Sequence, residues 1–208
     1  MSKSIIMIDG GFFKKKFEPK KKAPTNAKKV QEFIKNVHDK HAKDFDLLRV
    51  YYYDCPPSDE TLTNPISLKK INLKSSKEYA NGIKLLHELK RTDFFAVREG
   101  KLSVKGWKLR ENVKPSTSGA FKESDYKYDI HQKGVDIKIG IDIAWISYQH
   151  IADRIIIVTG DSDFIPAIKL ARRQGIQVVL LTLNHGVYSE LKDNVDVLDS
   201  SDIACFIK

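Results

Sequence analysis

Two aspartates one residue apart, Asp161 and Asp163, stand in "IIIVTGDSDFIPAI" (155–168), between two apolar runs. Like charges that close raise the free energy unless water, a basic side chain or a metal ion lies between them. Other stretches use aspartate in a comparable way: Asp9 closes "SIIMIDGG", and Asp136 and Asp142 interrupt "KGVDIKIGIDIAW". An ionised carboxylate only accepts, so several of them at one rim suit a hard divalent cation that keeps part of its water shell. Ordinary uses compete with that reading. An aspartate after a strand commonly forms a turn, and Asp163 is placed to cap the helix that follows it. Asp136 and Asp142 are six residues apart, about 240° around a helix, and would not share a face. Asp136 is therefore read as the site residue and Asp142 as a supporting one, with Thr159 and Ser162 orienting water or ligands.

The elements that must position these residues follow from periodicity. "SIIMIDGG" and "RIIIVTG" read as buried strands that end at Asp9 and just before Asp161. If they are neighbours at the centre of a parallel sheet, their carboxylates meet at the strand ends, where such sheets bind ligands. Residues 26–43 have helical spacing through Val30, Phe33, Ile34 and Val37, and "FDLLRVYYYD" suits a strand. "SSKEYANGIKLLHELKRT" predicts a helix opened by a capping box from Ser75 to Glu78. "DFFAVREGKLSVKGWKLR" predicts a strand and then a hairpin turning near 99–101. "DFIPAIKLARRQG" predicts a helix with Pro166 in its first turn and Gly175 beyond its end. "IQVVLLTL" and "NVDVLD" predict two more strands. Residues 135–143 alternate as a strand does, and pattern alone favours a strand, yet as a helix the stretch would be apolar on most sides; pattern does not settle it. The alternation of strands and helices points to an α/β fold with a mostly parallel sheet. One domain over 1–208 is expected, with a basic loop near 14–25 and a hairpin plus polar loop insertion near 99–130.

The chain carries 36 Lys and Arg against 27 Asp and Glu, a formal net charge of +9. That balance favours a polyanion as partner. No run is long and apolar enough to span a bilayer, and the apolar start is too short for a signal peptide. Two cysteines far apart, Cys55 and Cys205, fit a reduced, cytoplasmic setting.

"IIMIDGG", "KGVDIKIGIDIAW" and "IIIVTGDSDFIPAIKLARRQGIQVVLL" together resemble the signature blocks of the NYN domain family, in its bacterial branch. These are PIN-like, metal-dependent ribonucleases. The resemblance implies a PIN-like, Rossmann-like three-layer α/β/α fold and makes 137–150 a helix. It carries the family's acidic site onto Asp9, Asp136, Asp161 and Asp163, with Mg²⁺ or Mn²⁺ as cofactor. Many members have Asn three residues after the first Asp; Phe12 stands there in this chain.

The chemistry so implied is hydrolysis of RNA, single-stranded RNA being favoured, by metal-activated water. Lys14, Lys15, Lys16 and Lys133 are the expected RNA-binding lysines, with Arg91, Arg98 and Lys105 adding attraction to the backbone. Phe12, Phe13 and Trp107 are candidates for stacking on bases. A homodimer is open as the assembly. Two alternatives stand beside the nuclease: a non-catalytic RNA- or protein-binding module on the same fold, and a haloacid-dehalogenase-like phosphatase. Against the phosphatase, Gly11 occupies the place of its second nucleophile-motif aspartate.

Overall fold

A computed structural model describes residues 2–111, 113, 121–186 and 189–207. Ten strands occur among the described residues: β1 Lys3–Asp9, β2 Asp46–Asp54, β3 Thr61–Thr63, β4 Lys70–Asn72, β5 Phe95–Glu99, β6 Lys101–Leu109, β7 Tyr126–Lys133, β8 Arg154–Val158, β9 Gln177–Leu181 and β10 Val197–Asp199. The helices are α1 Gly10–Lys21, α2 Ala27–His41, α3 Lys77–Lys90, α4 Val135–Tyr148, α5 Ile165–Arg173 and α6 Ser189–Asp193. Six strands form one all-parallel sheet in the order β10-β9-β8-β1-β2-β5. Strand order reverses between β1 and β8, which run side by side with Ile8 opposite Val158. Asp9 and the 159–163 turn therefore leave the sheet at adjacent positions on the same edge.

Both faces of the sheet are covered, as parallel strands with apolar residues on both sides require. Ile6, Ile8, Tyr52 and Val158 face a core built with Phe13, Phe17, Phe33 and Leu89, on the α1–α3 side. Ile5, Met7, Tyr53 and Ile157 face a second core with Ile139, Ile143, Phe164 and Ile168, on the α4–α5 side. The expected PIN-like three-layer α/β/α architecture is the one found.

Four local expectations are corrected. The basic stretch near 14–25 is helix as far as Lys21: Asp9 caps α1, and Phe13 and Phe17, one turn apart, are buried while the lysines point outward. Residues 99–101 do not turn a hairpin. β5 pairs in parallel with β2, whereas β6 pairs antiparallel with β7 across the polar segment. Residues 112 and 114–120 of that expected loop lie outside the described residues. The cap of α3 is Ser76 rather than Ser75, accepting from the Tyr79 amide.

Finally, 135–148 is helix. Val135, Ile139, Ile143 and Ile146 bury against the sheet, while Ile137, Ile141, Trp145 and Tyr148 point to solvent. Apolar residues fill the outer face as well as the inner one, which is why the pattern imitates a strand. The helix begins at Gly134, whose φ of 79° is a left-handed conformation that costs glycine little.

Candidate active site

The acidic rim is built from the ends of β1 and β2, the first turn of α4 and the turn after β8. Asp9 is the last residue of β1, and its Oδ1 accepts from the Phe12 amide at 3.0 Å. The tight exit from β1 needs Gly10: a Cβ there would lie 2.7 Å from the Tyr53 carbonyl and 2.8 Å from the Tyr52 ring. After β8, the Thr159 hydroxyl accepts from the Asp161 amide at 3.2 Å, and Asp161 Oδ1 accepts from the Asp163 amide at 2.9 Å. Asp161 is thus the cap of the short 3₁₀ turn that leads into α5; the sequence had pointed to Asp163 for capping. Asp163 and Asp136 line one cavity of about 400 Å³, which extends over the exposed side of α4 to Ile141.

Electrostatics link these groups in a chain. Burial pushes the Asp9 carboxyl above the ordinary range, and the negative charges of Asp136 and Asp54 push it further. The Asp136 carboxyl is also raised, by partial burial and then by Asp161 and Asp163. Asp136 is therefore the link: its charge raises Asp9, and the charges of Asp161 and Asp163 raise it in turn. Among the described residues, no three His, Cys, Asp or Glu side chains stand close enough together to enclose an ion. The donor set nonetheless fits a hard divalent cation. It is all carboxylate oxygen, and its members repel one another as they stand.

Asp54 completes this rim and was not foreseen, although it closes β2 as Asp9 closes β1, a signal present in "VYYYD". It is buried, accepts from the Cys55 amide at 2.8 Å, and binds Lys14 at 2.8 Å and the Gln132 side-chain amide at 3.2 Å. Lys14 is thus committed to a carboxylate. Lys15 faces Asp9, whose raised carboxyl it partly offsets. Lys16 lies 3.4 Å from Nδ1 of His185 and over the Phe12 ring. His185 is a further rim residue that the sequence did not flag; its ring meets Phe12 edge-on and sits so close to Gly160 that a Cβ there would collide with it. Lys133 ends β7 and is exposed, with no ion pair among the described residues.

Of the expected supporting residues, Asp142 lies away from the rim, whereas Thr159 and Ser162 belong to its turn. Asp142 is on the sheet-facing side of α4, gripped by both arms of Arg98 and by the Tyr53 hydroxyl at 2.9 Å. It holds α4 to β2 and β5 and stands apart from the acidic rim; Arg98 is correspondingly occupied. Thr159 is buried under the turn and Ser162 is half-buried within it. Phe13 is core, and Trp107 stacks on Tyr128 across the β6–β7 ribbon.

In comparison with known proteins, the family model for the NYN domain matches residues 21–201. The matched span holds Asp136, Asp161 and Asp163 and begins after Asp9. No curated protein matches the chain.

Proposed function

The chain belongs to the NYN domain family of PIN-like nucleases, and from that premise we propose that it hydrolyses phosphodiester bonds of single-stranded RNA with Mg²⁺ or Mn²⁺. Asp9, Asp136, Asp161 and Asp163 are the residues that would hold the ion. The observation that carries this reading is the linked repulsion of Asp9, Asp136 and the Asp161/Asp163 pair at the β1/β8 switch point. Such a rim is unfavourable empty and becomes favourable when a divalent cation neutralises it.

When bound, the ion supplies hydroxide near neutral pH and charge stabilisation for the leaving oxygen. The chain's own residues do the rest. The Phe12 and Asp163 amides fix one oxygen each of Asp9 and Asp161, which orients both carboxylates before substrate arrives. Phe12 does this through its backbone, so the absence of an Asn side chain there leaves the positioning of Asp9 intact. Lys15, Lys16 and Lys133 draw the RNA backbone to the rim, while Lys14 holds Asp54 in place.

The test is cleavage of a labelled single-stranded RNA with Mg²⁺, with Mn²⁺ or with chelator, beside Asp161→Asn. Cleavage should require the metal and fall at least a hundredfold in the variant; cleavage that survives both changes refutes the proposal. A second reading, an RNA-binding module without catalysis, is favoured by one observation. Among the described residues, no three His, Cys, Asp or Glu side chains are closed around an ion position as they stand. RNA binding without cleavage under every metal condition would select it. Membership of the NYN family leaves the phosphatase reading without support.

A further inference from the structure

A cleft of about 820 Å³ opens directly beside the acidic rim. Its inner end is Gly11, where a Cβ would lie 3.4 Å from Asp9 Oδ1 and 2.8 Å from the Gln132 amide oxygen. From there it runs outward between α1 and the first turns of α3. Lys14, Lys15, Lys22 and Lys77 line it, against Glu18 and Glu78.

The charges are not equally available. Lys14 is held by Asp54, and Glu18 is occupied by the Thr25 amide and hydroxyl at 3.3 and 3.1 Å. Lys22 and Lys77 make no ion pair among the described residues, and Lys15 meets only the Asp9 charge. Three exposed lysines thus line the cleft beside Asp9: Lys15 and Lys22 from α1 and its cap, and Lys77 from the positive N-terminal turn of α3. Lys15 and Lys22 are seven residues apart, about 10 Å along α1, so a compact anion would use one of them only, whereas successive backbone phosphates of a strand can meet both.

We propose that this cleft is the track for the RNA strand on one side of the scissile phosphate, with Lys15, Lys22 and Lys77 each neutralising a backbone phosphate. The assignment rests on the nuclease reading for what lies at the inner end. The track itself requires only that RNA binds. Glu78 is then a counter-charge that weakens binding.

The test is binding of a labelled single-stranded RNA of about twelve nucleotides to the full chain in chelator, read by anisotropy across a salt series. Lys22→Glu with Lys77→Glu should flatten the slope of log affinity against log salt by about 1.4, since each phosphate contact on a single strand contributes about 0.7. Glu78→Gln should tighten binding, although it removes an acidic residue from a helix N-terminus and so lowers the melting temperature slightly. A merely structural role would move affinity and melting in the same direction. An unchanged salt slope, or Glu78→Gln binding no tighter than wild type, overturns the track. If RNA binds with the predicted slopes and nothing is ever cleaved, the nuclease reading fails and the track stands.

Discussion

Replacing Asp136 with asparagine separates stability from activity. Asp136 has carboxylate neighbours on both sides, Asp9 on one and the Asp161/Asp163 pair on the other. Its side chain is largely exposed, so solvent screens each contact, and an exposed charge pair is worth about 0.2–1 kcal/mol. Relief of these repulsions amounts to about 1 kcal/mol, offset by about 0.3–1 kcal/mol because Asp136 is also the acidic residue in the first turn of α4. In a domain of this size each kcal/mol moves the melting temperature by about 2–4 °C. The metal-free variant should therefore melt no lower than wild type and up to about 3 °C above it. Wild type should gain much more from metal: a ligand at one hundred times its dissociation constant stabilises by about 2.7 kcal/mol, roughly 5–11 °C. Asp136→Asn should lose most of that gain together with RNA cleavage. Differential scanning calorimetry with and without MgCl₂ reads both effects. A variant that melts below wild type in chelator, or that keeps the full metal-induced shift, would refute the repulsive carboxylate rim.

The same rim sets a pH dependence. Asp9 and Asp136 both have carboxyls raised above 3.8 in the fold. Above their folded values they are ionised and the metal-free fold carries their repulsion. As pH falls through the folded values toward 3.8, protonation relieves it, so these two groups add relative stability in that window. Metal needs the ionised forms, so Mg²⁺ affinity of the free protein should already be falling above pH 3.8, where the raised carboxyls protonate; calorimetric titrations across pH in which affinity falls only at or below that value would contradict the assignment. Arg98→Ala should destabilise through a different mechanism. It strips the bidentate partner from Asp142, which is buried beside Tyr53, while Arg98 itself is about half exposed. A loss of about 2 kcal/mol, between the values for exposed and fully buried pairs, is expected. That is a fall of roughly 4–8 °C in melting temperature, and Arg98→Met with Asp142→Leu should recover most of it. Equal losses in the single and double variants would show that the pair is not the cause.

The sequence by itself determined the elements whose periodicity is strong and whose neighbours are local. Strands ending in aspartate, the helix after "GDSDF" and the α/β alternation are all properties of short windows, where burial on one or two faces leaves a direct imprint. It also marked Asp9, Asp161 and Asp163, because a carboxylate closing or following an apolar run is visible without knowing what lies across from it. Tertiary structure decided what each charge meets. Asp142 looks like Asp136 in sequence, but six residues of helix turn it toward Arg98 and Tyr53, and it becomes a clamp. Lys14, Lys15 and Lys16 form one run in sequence. On α1 they splay about 100° apart and meet Asp54, Asp9 and His185 respectively. Asp54 joins the rim only because β2 lies beside β1. Helix or strand for 135–148 was likewise decided at long range. The apolar side chains satisfy either period, and the sheet surface offered by Ile5, Met7 and Ile157 selects the form that buries Ile139, Ile143 and Ile146 together. Charge partners and packing partners are set by chain segments tens of residues away, and no local window contains them.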